Sequence, residues 1–90
     1  MTEAARITVT GKVQGVGFRA ACAREAKSIG VAGAVRNLAD GSVQVVAEGT
    51  TAQLEALTRW CHRGPAFAVV RTVDLEPVPP SAMKSFRILR

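Results

Sequence analysis

Ninety residues, 48% of them apolar and 21% charged, suffice for one small hydrophobic core over 1–90 and are too apolar for a disordered chain. A formal net charge of +5 favours anionic partners, but no run of four Lys and Arg occurs to suggest a dedicated nucleic-acid face. Two cysteines outside any CxxC and one histidine exclude a zinc site, and "MTEAARITV" offers no stretch for a signal peptide or membrane span.

In chain order, residues 6–13 alternate, with Ile7, Val9 and Val13 on one parity, and predict a half-buried strand. A glycine-containing loop, "QGVGF", follows. From 19 to about 29 the period becomes helical, with Phe18, Cys22, Ala26 and Ile29 on one face and Gly30 as the stop. Residues 31–38 read as a second strand, weakened by Gly33, and Asp40-Gly41 marks a hairpin into a third strand over 42–48, with Val43, Val45 and Ala47 on its apolar face. Thr50 and Gln53 fit a capping box that opens a second helix, whose buried stripe is Leu54, Leu57 and Cys61 and whose end is "HRGP". Residues 67–76 are a fourth strand, "PVPPSAM" is expected to be loop, and "KSFRILR" is a short terminal strand with Phe86 and Ile88 on one face.

This order, βαββαβ plus a short terminal strand, predicts an α+β, ferredoxin-like two-layer sandwich: a mostly antiparallel sheet with two helices on one face. The first strand is expected to lie centrally, beside the strand that follows the first helix.

The stretch "KVQGVGFRA" carries the chemistry. Gly15 and Gly17 let successive N–H groups point into one concavity, and the loop feeds a helix N-terminus, which favours negative charge. Arg19 beside that positive helix end is unfavourable unless an anion lies between them; its planar fork suits two phosphate oxygens. Alone, the same residues also serve a tight turn with Arg19 extended into water. "GVGFRA" matches a dinucleotide-binding fingerprint as well, but the Asp40-Gly41 hairpin makes the next strand antiparallel, and the chain is too short for a doubly wound domain. A P-loop is absent, and neither cysteine has the arginine six positions on that a Cys-based phosphatase loop needs. In "VRNLADG", Asn37 stands near a strand end, where Asn also commonly satisfies a local turn.

"GKVQGVGFR", "GAVRNLADGSV", "GP" at 64–65 and "FRI" at 86–88 together resemble the acylphosphatase family, in order and spacing, from Arg6 to Ile88. The resemblance implies hydrolysis of the carboxyl–phosphate bond of acyl phosphates, without a metal or other cofactor. It implies that the phosphate is held by Arg19 and by backbone N–H groups of Gln14, Gly15, Val16, Gly17 and Phe18, and that Asn37 positions the attacking water. Inorganic phosphate or sulfate would occupy the same site. Three positions depart from the family's usual residues: Ala21, Ala34 and Gln44.

The chemistry of the residues agrees. A carboxylate leaving group departs without a proton, so no general acid is needed, and His62 at the far end of the second helix complements the helix C-terminus instead. The resulting expectation is a cytoplasmic, monomeric enzyme acting on a small molecule, with no nucleic-acid or membrane partner and with Cys22 and Cys61 as reduced thiols. An acylphosphatase-like domain of a hydrogenase-maturation protein is disfavoured by the 90-residue length. A ferredoxin-like RNA-binding module is disfavoured by the lack of tyrosine and of an aromatic pair on adjacent strands. A purely structural role would require that the protein bind no phosphate.

Overall fold

The computed structural model describes residues 2–90. Its elements are β1 (Glu3–Lys12), α1 (Phe18–Ile29), β2 (Ala32–Asn37), β3 (Val43–Gly49), α2 (Thr51–Arg63), β4 (Val69–Val78) and β5 (Phe86–Ile88). The five strands form one sheet in the order β4-β1-β3-β2-β5. All pairings are antiparallel except β2 with β5. The ferredoxin-like α+β architecture expected from the element order is the one observed.

One expectation is corrected. β1 is central, but its neighbours are β3 and β4, and β2 lies on the other side of β3. The hairpin β2–β3 inserts β3 beside β1, so β2 reaches the first strand's end only across an intervening strand. A second difference concerns Pro77 and Val78, which continue β4. β4 is an edge strand, where a missing N–H is tolerated.

Side-chain parity builds the core in rows across the sheet. Ile88, Val35, Val45, Ile7 and Leu75 are successive partners in one row; Asn37, Val43, Val9 and Val73 form the next. Val35, Val45, Ile7, Val43 and Val9 are fully buried beneath the helices. α1 covers this face with Phe18, Cys22, Ala23 and Ala26, and α2 with Leu54, Leu57 and Cys61. Ala23, not foreseen as a core position, widens the α1 stripe, while Ile29 is only half-buried. Burying each large aliphatic side chain contributes about 1.5–3 kcal/mol.

α2 starts on the capping box read from the sequence. Thr50 Oγ1 accepts the Gln53 N–H, and Gln53 Oε1 accepts the Thr50 N–H at 2.9 Å. Gln53 Nε2 also donates to the Ile29 carbonyl, tying the end of α1 to the start of α2. On the open face, Gln44 accepts a hydrogen bond from Arg36 Nε at 3.2 Å, which gives this departure from the family pattern a local partner. None of the four aromatics stands on that face. Phe18 and Phe86 are buried, Trp60 packs edge-on against Phe18, and Phe67 lies in the loop before β4. Among the described residues, no helix is long and apolar enough to cross a membrane.

Cys22 and Cys61 are both buried and unpaired. Hydrogen bonding to Cys61, then burial, pushes the Cys22 thiol far above its ordinary range.

Candidate phosphate-binding site

β1 and β2 are both antiparallel to β3, so they run parallel to each other, and β5 runs parallel to β2. The C-terminal ends of these three strands therefore lie at one end of the sheet. β1 leads there into the loop before α1, β2 ends there in Asn37, and β5 ends there in Ile88.

Gly15 and Gly17 have φ of 74° and 78°, the left-handed conformation that L side chains adopt only at a cost. A Cβ at either would meet nothing within 4 Å, so backbone geometry and not crowding calls for glycine. Gly17 is also the N-cap of α1, and no side chain caps that helix. The first turn of α1 holds no acidic residue. The positive end of the helix is thus left without a protein anion. Phe18 begins the helix with its ring in the core, and Gly64 backs directly onto that ring, where a Cβ would come within 3.0 Å. The "GP" segment after α2 therefore holds the base of the loop from behind.

The far side of the site is the β2–β3 hairpin. Asp40 Oδ1 accepts hydrogen bonds from the Ser42 N–H at 3.0 Å and from the Ser42 hydroxyl at 2.6 Å. These bonds hold the Asp40 carboxyl below its usual range. The hairpin so fixed is clamped to the loop by one side chain. Gln14 Nε2 donates to the carbonyls of Leu38 at 2.8 Å and Ser42 at 2.9 Å. The two ends of the site are thereby held in one register.

Gly15, Gly17, Phe18, Arg19 and Asn37 surround a concavity of about 310 Å³, together with Val13, Ala20, Ile88 and Arg90. No aspartate, glutamate or histidine lines it. Arg19 is not extended into water alone: its Nη1 donates to the Leu89 carbonyl at 3.1 Å. That bond turns the guanidinium toward β5 and leaves most of its donor fork free of protein partners. Asn37 Oδ1 is buried and has no hydrogen-bond partner. An unpaired buried acceptor costs about 1–3 kcal/mol, a cost that a donor bound in the concavity would remove.

The remaining candidates from the sequence stand differently. Gln14 and Val16 do not line the concavity; Gln14 directs its side chain to the hairpin, and Val16 packs against the core. The clamp by Gln14 had no signal in the sequence, because its partners are backbone carbonyls 24 and 28 residues away. Ile88 was legible as sharing a face with Phe86. Its place at the site follows only from the parallel pairing of β5 with β2.

The family model for acylphosphatase matches residues 5–88. An acylphosphatase of Synechococcus sp. is 51% identical over 87 residues, covering 97% of this chain and 87% of that one. The crystal structure of acylphosphatase from Bacillus subtilis superposes with a TM-score of 0.95 at 33% identity, each chain covered in full. The fold also matches 12% of full-length HypF, crystallised in a phosphate- and nucleotide-bound form, with a TM-score of 0.90 and 26% identity over the whole of this chain. A chain that matches the family model across nearly its whole length, and its relatives in sequence and fold, belongs to the acylphosphatase family.

Proposed function

We propose that this hydrolase cleaves acyl phosphates to a carboxylate and inorganic phosphate at the concavity between the Gln14–Phe18 loop and Asn37. The observation that carries the assignment of roles is the pairing of opposites there. An arginine with free donors and an uncapped helix N-terminus stand on one side; a buried, unpartnered amide oxygen stands on the other.

In this reading the phosphoryl group sits in the loop. Its oxygens accept from Arg19 and from the backbone N–H groups of the loop and first helical turn. Water donates one hydrogen to Asn37 Oδ1, which aims its lone pair at phosphorus opposite the acyl oxygen. The new P–O bond forms as the bond to the acyl oxygen breaks, and the electron pair leaves on the carboxylate. Both water protons stay with the phosphate, as dihydrogen phosphate, before one passes to solvent. Carboxylates have pKa values of about 4, so the leaving group needs no proton. The spreading charge on the phosphoryl oxygens is met by Arg19 and the amides, the kind of fixed electrostatic stabilisation on which phosphoryl transfer depends. Because Arg19 and the helix supply that charge, the reaction is assigned no metal and should persist in chelator. The buried, unpaired thiols fit a reducing, cytoplasmic setting.

The test is steady-state hydrolysis of benzoyl phosphate in chelator by wild type and Asn37→Ala. Turnover of the variant should fall about 100-fold or more, with inhibition by inorganic phosphate little changed. Parallel weakening of phosphate inhibition would make Asn37 a binding residue, and no hydrolysis by wild type would overturn the reading.

A further inference from the structure

Glu48 is a buried carboxylate at the end of the sheet away from the concavity. Asn37 pairs with Val43 at the start of β3, and Glu48 stands near the end of that strand, between Ala4 of β1 and Ala32 of β2. The next row of the same open face holds Arg6, paired with Glu76 of β4, and Arg87 of β5. Lys84 borders the same hollow. Among the described residues, none of these cations forms an ion pair with Glu48.

The Glu48 anion is held instead by the segment that joins β4 to β5. Its Oε2 accepts from the Ser81 N–H and hydroxyl, and its Oε1 accepts from the Met83 N–H at 3.0 Å. Between these donors Ala82 has a φ of 58°, left-handed, which no other non-glycine among the described residues adopts. That conformation turns neighbouring N–H groups toward one point, an anion nest, at a backbone cost borne only where the surroundings hold it. Residues 79–85, which have no helix or strand of their own, are thus fastened onto the open face by the Glu48 carboxylate.

β5 starts from this segment. The Gly33 N–H donates to the Ser85 carbonyl at 2.9 Å, Phe86 enters the core, and β5 pairs in parallel with β2 up to Ile88. The Leu89 N–H then donates to the Val35 carbonyl at 2.8 Å, and the Leu89 carbonyl accepts from Arg19. Phe86 fixes the depth of β5 against the core. A three-residue strand at the sheet edge has few bonds to fix its direction, and its start is set by the segment that Glu48 holds.

We infer that Glu48 is a positioning residue for the site at the opposite end of the sheet. By fastening residues 81–83 it sets β5, and through β5 the Leu89 carbonyl that orients Arg19. The inference rests on the proposed hydrolysis for its kinetic readout and adds to it the control of the Arg19 guanidinium by a distant carboxylate.

The test is Glu48→Gln, which keeps the side chain's shape but turns an NH2 group toward one of the segment's donors. Amide exchange followed by NMR should show the protection of Leu89 falling about 10-fold or more, because that amide opens with β5. A loss of global stability alone would lower the slowest core amides, such as that of Val45, and leave Leu89 as in wild type. Kinetics are read with benzoyl phosphate over the pH range in which circular dichroism shows both proteins folded. The wild-type to variant ratio of kcat/KM, in which substrate ionisation cancels, should be about 5 or more at neutral pH. The segment's hydrogen bonds hold the Glu48 carboxyl below 4.5, so its grip is present above 4.5 and lost as the pH falls through the lowered value. The ratio should therefore fall toward 1 at the acid end. Unchanged protection of Leu89 overturns the inference, and so does a ratio near 1 at neutral pH. Should the variant not fold, the protection of Leu89 in wild type, corrected for intrinsic exchange, is compared between pH 6 and pH 3; it should drop at acid pH, and no drop overturns the inference. A wild type that hydrolyses no benzoyl phosphate refutes the proposed activity, while exchange at Leu89 still decides the coupling.

Discussion

Replacing Gln14 by alanine removes a side chain that clamps the loop before α1 to the β2–β3 hairpin. Two hydrogen bonds are lost, to the carbonyls of Leu38 and Ser42. Each contributes about 0.5–1.5 kcal/mol net, so the expected destabilisation is about 2 kcal/mol. For a domain of this size about 1 kcal/mol corresponds to 4–8 °C, so the midpoint should fall by roughly 10 °C. Turnover should fall as well, about 10-fold or more, because Asn37 and the loop are no longer held in register and small misplacements are costly. The assay is thermal unfolding by circular dichroism, with benzoyl phosphate kinetics measured well below the variant's midpoint. Gln14→Glu sharpens the test. A carboxylate facing two carbonyls has no donor to offer and is repelled, so its folded-state pKa lies above its unfolded value. The variant should then be less stable than Gln14→Ala at neutral pH and recover as the pH falls toward about 4.3, the ordinary glutamate value. A Gln14→Ala midpoint within about 2 °C of wild type would refute the clamp.

Other consequences are as open to measurement. Glu48 accepts from the Ser81 N–H and hydroxyl and from the Met83 N–H at 3.0 Å, and these bonds hold its carboxyl below 4.5. Its stabilising effect is therefore present above pH 4.5 and lost as the pH falls through the lowered folded value. Melting curves from pH 6 to 3 should show that loss in wild type and a flatter acid limb in Glu48→Ala; identical limbs would contradict it. Hydrolysis of benzoyl phosphate in oxygen-18 water should place the label in phosphate, since attack is on phosphorus; label in benzoate would mean attack at the carbonyl. Cys22 and Cys61 should resist a disulfide reagent in the native protein, being buried, and both should react after denaturation without reductant. Fewer than two reactive thiols would mean that the pair had oxidised.

The fold was legible where periodicity is local. The alternation of Ile7 with Val9 and of Val43 with Val45 marked buried strand faces, and Phe18, Cys22 and Ala26 marked the helix that covers them. The Asp40-Gly41 turn and the Thr50–Gln53 capping box are interactions within a few residues, and both are present. Strand order is not local. The neighbours of β1 depend on which strand the hairpin inserts, and nothing between residues 31 and 48 states that β3 rather than β2 lies next to it. For the site, Arg19 and Asn37 could be singled out from residue type and motif. That Arg19 leans on the Leu89 carbonyl, and that Ile88 lines the concavity, depends on a parallel pairing made by a three-residue strand. Backbone carbonyls are the same at every position, so contacts to them carry no residue signal.

The central claim is that an anion joins Arg19 to the positive end of α1 and is cleaved there. The most direct measurement is hydrolysis of benzoyl phosphate in chelator by wild type and Arg19→Ala, with binding of inorganic phosphate followed in the same samples. The account predicts turnover by wild type in chelator, and loss of both turnover and phosphate binding in the variant. Phosphate binding by Arg19→Ala equal to wild type would mean that the loop of Gly15 and Gly17 is a turn and not the seat of the substrate.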